Sequence, residues 1–282
     1  KINITMRKLL FIAAISIVFQ GCINQKVTQS DVFNPVKEFE LNTGFKFKRD
    51  FIQNTDTTQL EYWYITEYNP QFNLIYLSGN GSNVRSAIPF FNELGNQLNL
   101  NIFTFNYSGY GLSEGKPTID GIVRDGKVAL DHFKNNIGDQ DLPTVLLGYS
   151  LGGYVALSII DTDFIDQGVL MSTFSSLEEL QDYLLKEALP GVIRPFLKLD
   201  IDTSIYKLNN VKLVQKNNKP LLFIHGGSDD FIPSSMSYGL YNLSPAENKQ
   251  IKIIENADHR AILKDQDINP KVVAEIKRFL NI

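Results

Sequence analysis

From residue 73 to the C-terminus the chain repeats one rhythm: a short unbroken apolar run, then a stretch with apolar residues at helical spacing. The runs fall at 73–78, 101–107, 143–149, 168–172 and 220–225, and a last strand candidate, interrupted by Lys252, falls at 250–255. Helical spacing falls at 84–98, 119–135, 151–160, near 234–241 and at 271–280. A strand wetted on one face alternates apolar and polar residues, whereas an unbroken run must be covered on both faces. The rhythm therefore predicts an α/β fold with a mostly parallel central sheet and helices on both faces. Two further strand candidates, 45–53 and 59–66, precede it, separated by the polar turn Asn54-Thr55-Asp56-Thr57-Thr58. Residues 175–210 interrupt the rhythm with two helix-like pieces divided by Pro190-Gly191 and Pro195, read as a small helical cap. The simplest organisation is one domain, 40–282, carrying that cap.

Composition narrows the chemistry. The formal charge is −4, so no basic excess draws the chain to nucleic acid. One cysteine permits neither an internal disulfide nor a cysteine-rich metal site. No metal or organic cofactor is expected. Histidine is scarce, with only His132, His225 and His259.

The strongest local signal is Gly148-Tyr149-Ser150-Leu151-Gly152, followed by Gly153, between an apolar run and a helical stretch. A serine there projects from a turn so sharp that its neighbours must be small, and the next helix presents its N-terminus. A serine hydroxyl is a weak nucleophile and needs a base oriented by a carboxylate. Three more loops lie just after strand candidates. They are Ser78-Gly79-Asn80-Gly81-Ser82-Asn83, Asn106-Tyr107-Ser108-Gly109-Tyr110-Gly111-Leu112-Ser113, and His225-Gly226-Gly227-Ser228-Asp229-Asp230-Phe231-Ile232-Pro233. After the last strand comes Asn256-Ala257-Asp258-His259-Arg260. Neither Gly79-x-Gly81 nor Gly109-x-Gly111 is a phosphate loop, because Val84 and Glu114 stand where the third glycine belongs.

Together these motifs resemble the α/β-hydrolase superfamily over about residues 40–280. The nearest likeness is to the branch of acyl-protein thioesterases, serine-aminopeptidase-like lipases and small bacterial esterases. Where that branch often shows D-Y-R-G-Y-G-x-S, this chain has Asn106 and Ser108, and Ser78 replaces the usual histidine before the oxyanion glycine. The resemblance implies Ser150 as nucleophile, His259 as base and Asp229 as the orienting acid, with Asp230 the neighbouring competitor. It also implies an oxyanion hole from the backbone N–H groups of Asn80 (or Gly81) and Leu151. His225 then buttresses the acid loop, His132 belongs to a helix, and Asp258 stabilises its own loop.

The N-terminus carries a separate message. Arg7 and Lys8 precede an apolar stretch, 9–19, too short to span a bilayer, and Cys22 comes directly after Gln20-Gly21. This order resembles a bacterial lipoprotein signal. It implies a signal peptide at 1–21, lipidation of Cys22, a tether at 22–39, and a place in the cell envelope, held to the membrane through the anchor. Plain secretion or a buried first helix are the alternatives. Residues 1–21 hold three basic side chains and no acidic one, so the remainder is more acidic still, and charge would not hold it to anionic lipid.

The expected function is a serine hydrolase cleaving carboxylic esters or thioesters through an acyl-enzyme. A peptidase of the same fold and a non-catalytic binding protein are the alternatives. Dehalogenase chemistry is disfavoured, since the elbow holds serine and not aspartate. A small-molecule or acylated substrate and a monomeric state complete the expectation. Leu184, Leu185, Leu189, Val192, Ile193, Phe196 and Leu197 of the cap could line an acyl pocket, or pack the cap onto the body.

Overall fold

The computed structural model describes residues 24–37, 43–55, 58–191 and 198–282. The signal-peptide reading of 1–21 and the lipidation of Cys22 lie outside the described residues. The strands are β1 (Asn24–Val27), β2 (Lys48–Thr55), β3 (Thr58–Ile65), β4 (Phe72–Leu77) and β5 (Leu100–Phe105). Then come β6 (Thr144–Tyr149), β7 (Gln167–Met171), β8 (Lys198–Ile201), β9 (Leu221–Gly226) and β10 (Lys249–Ile254). The helices are α1 (Gln29–Val32), α2 (Ile88–Gln97), α3 (Ile119–His132), α4 (Leu151–Ile159), α5 (Leu177–Ala188), α6 (Asn210–Val214), α7 (Ser234–Leu243), α8 (Ala261–Lys264) and α9 (Asn269–Leu280).

Eight strands form one sheet in the order β10-β9-β7-β6-β4-β5-β3-β2. Only β3 runs against the others, pairing antiparallel with β2 and β5. Each of the eight strand candidates read from the sequence becomes one of these strands. The apolar runs of β4, β5, β6, β7 and β9 are buried on both faces, while the edge strand β10 leaves Gln250 and Lys252 exposed. On β4, Ile75 and Leu77 join the core beneath α3, α4 and α7, while Leu74 and Tyr76 join the core beneath α2 and α9. On β6, Leu146 faces the first core, and Val145, Leu147 and Tyr149 face the second.

Local chemistry sets the helix starts. Thr118 accepts the Gly121 N–H at 2.9 Å at the head of α3, and Ser176 accepts the Glu179 N–H at 3.1 Å at the head of α5. Each satisfies an N–H that the helix itself leaves unpaired. The predicted helix at 84–98 begins as a 3₁₀ turn (Val84–Ala87), and α2 takes over with Pro89 in its first turn.

Two expectations concern the cap and the N-terminal tether. The sequence predicts two helical pieces in the cap. The first is α5, with Leu184 packed against the core and Leu189 buried. Residues 192–197, which include Val192, Ile193, Phe196 and Leu197, lie outside the described residues. Beyond them the cap continues with β8, a 3₁₀ turn (Thr203–Lys207) and the short α6. The tether, in its described part, does not stand off the body. β1 pairs in parallel with β8, and Phe33 is buried in the core. β1 and β8 satisfy each other's backbone groups, which a loose tether would leave to water.

Candidate active site

The turn between β6 and α4 places Ser150 at φ 54° and ψ −115°, a backbone conformation that side chains other than glycine rarely adopt. Such a residue costs about 1–3 kcal/mol and persists because its surroundings hold it. Ser150 N–H donates to Met171 O at 2.8 Å, and its carbonyl accepts the Thr173 hydroxyl at 2.8 Å and the Gly153 N–H at 3.0 Å. The flanking glycines are steric necessities. A Cβ on Gly148 would lie 2.4 Å from Gly152 O, and one on Gly152 would lie 2.1 Å from Leu77 O.

The loops after β9 and β10 bring Asp229 and His259 to this turn. His259 Nδ1 lies 2.7 Å from Asp229 Oδ2, and His259 Nε2 lies 3.1 Å from Ser150 Oγ. A carboxylate only accepts, so Nδ1 carries the proton and Nε2 is left to face the hydroxyl. Three contacts fix the imidazole. Tyr149 donates its hydroxyl to His259 O at 2.6 Å, and the rings of Tyr149 and Phe231 lie 5.2 and 5.3 Å from the His259 ring. Asp258 does not face the site. Its Oδ1 accepts the N–H groups of Arg260 and Ala261, both at 2.8 Å, and shapes the head of α8.

Asp229 is buried, and its second oxygen accepts the N–H groups of Phe231 at 3.0 Å and Ile232 at 2.9 Å. Burial alone would push its carboxyl up, but hydrogen bonds from His225, His259 and the Ile232 backbone outweigh it. The carboxyl is held well below the usual carboxylate range. Asp230 is exposed and turned out of this cluster. His225 is fully buried beneath the acid loop. Its Nε2 donates to Ile232 O at 2.9 Å and lies 3.3 Å from Asp229 Oδ2, while Nδ1 lies 2.6 Å from Ser237 Oγ. His132 ends α3 against the Tyr62 ring, remote in sequence and contacts from these groups.

The loop after β4 closes against the turn from the other side. A Cβ on Gly79 would lie 3.1 Å from Ser150 Cβ. Among the described residues, neither the Asn80 nor the Leu151 backbone N–H donates to another protein group. Both remain available to an incoming ligand.

No family model matches the chain. The uncharacterized protein YfhR of Salmonella typhi is 31% identical over 221 residues, covering 72% of this chain and 71% of YfhR. The α/β hydrolase domain-containing protein WAV2 of Arabidopsis thaliana is 28% identical over 222 residues, covering 73% of this chain and 69% of WAV2. Among solved structures, an esterase of Pyrococcus furiosus aligns with a TM-score of 0.69 at 21% identity, covering 88% of this chain and 97% of the esterase.

This chain belongs to the α/β-hydrolase superfamily.

A monoglyceride lipase from Saccharomyces cerevisiae shares the fold too, with a TM-score of 0.63 at 16% identity over 88% of this chain and 98% of the lipase. Within the superfamily, the asparagine at 106 has a local cause. Asn106 Nδ2 donates to the buried Glu61 at 2.6 Å, and its Oδ1 accepts the Val84 N–H at 2.9 Å. An aspartate at 106 would set two carboxylates against each other without water. Glu61 also accepts from Trp63 at 3.0 Å and Arg85 at 3.2 Å. The departure from D-Y-R-G-Y-G-x-S is the visible trace of this hydrolase's buried Glu61–Arg85 pair, which sequence reading missed. The support from Tyr149 and Thr173 was also missed, since an aromatic or a threonine at such positions carries no distinguishing pattern.

Proposed function

We propose that the protein is a serine hydrolase acting on carboxylic ester or thioester bonds, with Ser150, His259 and Asp229 as its catalytic groups. The reading rests on one observation: a continuous hydrogen-bonded line from Asp229 through His259 to Ser150, at 2.7 and 3.1 Å. Ser150 Oγ attacks the substrate carbonyl carbon as His259 Nε2 takes its proton. The oxygen that becomes negative is met by the Asn80 and Leu151 N–H groups, placed before the charge develops. His259 returns the proton to the leaving oxygen or sulfur, and the acyl group stays on Ser150. Water then attacks the acyl-enzyme with His259 again as base, releasing the acid and restoring the serine. Asp229 stays ionised throughout, orienting the imidazole and stabilising its charged form.

A fluorophosphonate probe and p-nitrophenyl esters test this. The expected result is one label per chain at Ser150, and loss of hydrolysis and labelling in Ser150→Ala. An unlabelled protein without esterase activity would leave only a binding role for the fold, and a Ser150→Ala variant as active as its parent would refute the serine mechanism. The order from Arg7 to Cys22 supports a further part of the reading: a lipid-anchored protein of the cell envelope. Mass spectrometry of the mature N-terminus should find a diacylglyceryl group on Cys22. An unmodified cysteine in the mature protein overturns the anchor.

A further inference from the structure

Asn80 is the exposed residue of its loop, yet its side chain is fully engaged, and two of its distant partners come from the N-terminal segment. Asn80 Oδ1 accepts the Asn34 N–H at 2.8 Å, the Tyr110 hydroxyl at 2.7 Å and the Gly81 N–H at 3.0 Å. Its Nδ2 donates to Val32 O at 2.6 Å. Residues 24–37 form a strap fastened on both sides of this clasp. Upstream, β1 pairs with β8, Asp202 N–H donates to Val27 O at 2.9 Å, and Gln29 Nε2 donates to Ser204 Oγ at 2.8 Å. Downstream, Val36 O accepts the Gly111 N–H at 2.8 Å and the Asn83 side chain at 3.3 Å. Phe33, between the fastenings, is buried in the core.

We infer that this strap, through Val32 and Asn34, is a positioning element of the oxyanion hole. The inference rests on the reading of Asn80 as a donor to the developing oxyanion. A donor contributes to the barrier only if it already points where the charge will form. The Gly79–Asn80 peptide that carries this N–H is held within its own loop by one bond, from the Ser82 hydroxyl to Gly79 O at 2.7 Å, and Gly81 at φ 69° leaves the other side of Asn80 little steric restraint. The clasp adds the second restraint, gripping the Asn80 side chain at both ends of its amide. Removing a whole oxyanion donor costs about 10²–10³ in kcat. Loosening one should cost less, so about tenfold is expected.

The test compares the full chain with Asn80→Ala, Asn34→Pro and Tyr110→Phe. Asn80→Ala keeps the backbone N–H but removes the clasp. Asn34→Pro removes one strap donor, and Phe33 at φ −93° and ψ 138° already has the backbone that a proline at the next position requires. With p-nitrophenyl acetate, Asn80→Ala and Asn34→Pro should each lower kcat about tenfold with KM within twofold. Tyr110→Phe should lower it about threefold. Affinity for phenylboronic acid, which forms a tetrahedral anionic adduct on the serine, should fall in the same proportion as kcat. The double variant Asn34→Pro/Asn80→Ala should be no worse than Asn80→Ala, since both break one clasp.

An Asn80→Ala protein with parental kcat overturns the inference. So does a loss confined to KM, or boronate affinity that stays constant while kcat falls. Should Asn80→Ala fail to fold, Asn34→Pro carries the same decision. Ser150→Ala run alongside separates the two claims. If it retains full activity, the hydrolase reading has failed. If it is inactive while the clasp variants keep parental kcat, only the positioning role has failed.

Discussion

Asp229 and Asn80 approach Ser150 from opposite sides, since β4 borders β6 on one side and β9 and β10 lie beyond β7 on the other. They are held by different physics. Asp229 is buried and receives its hydrogen bonds from His225, Phe231, Ile232 and His259, three of them within four residues in the chain. Asn80 is exposed and is gripped by Val32 and Asn34, more than forty residues away. The first arrangement places a charge in low dielectric, where each hydrogen bond is strong and no water competes. The second holds a neutral amide in contact with solvent, where each bond is worth about 1 kcal/mol and several must act together. Proton transfer demands the first kind of support, because an imidazole misoriented at either nitrogen does nothing. A backbone donor tolerates the second.

The contrast can be broken first at the acid. Asp229→Asn should lower kcat by about 10³–10⁴, because an amide can donate to Nδ1 and select the wrong imidazole tautomer. Asp230→Asn should stay within twofold. Steady-state ester hydrolysis by both variants checks this, and equal effects would sink the assignment of the acid. The next largest effect is on stability, beneath the oxyanion side. Glu61→Gln leaves the buried Arg85 without its countercharge and should cost about 3 kcal/mol. A chain of this size should then melt about 6–10 °C lower. An unchanged melting temperature would mean that the pair contributes nothing.

The smallest expected effect is pH-dependent. Asp229 is held below the carboxylate value of the unfolded chain, so it adds stability above that value and loses it as pH falls toward the folded one. Denaturant unfolding over roughly pH 5 to 2 should therefore show a steeper loss for the parent than for Asp229→Asn. Parallel curves would show that the depressed carboxyl is not linked to folding. The strap variants sit outside this titration, so Asn34→Pro should leave the slope unchanged.

The features legible in the sequence are those written within a few residues of themselves. Strands β4 to β7 and β9 stand out as apolar runs, since burial on two faces forbids alternation. The elbow stands out because Gly148 and Gly152 have no room for a Cβ. His225 as a buttress and Asp258 as a loop former were also readable, each acting within its own loop. Residues 198–201 were not readable as a strand, because their pairing partner lies at 24–27.

By itself, then, the sequence determined the layered sheet, the sharp turn at Ser150 and the residue types able to pass a proton there, because periodicity and steric exclusion act over short stretches of chain. Only the tertiary structure decided that His259 meets Ser150 across 109 residues, that Glu61 lies beneath Asn106, and that a polar N-terminal stretch is stitched to the Asn80 loop. Those contacts are single hydrogen bonds between common residue types, and such a bond has no sequence period: it exists only where the folded chain has already brought donor and acceptor within reach.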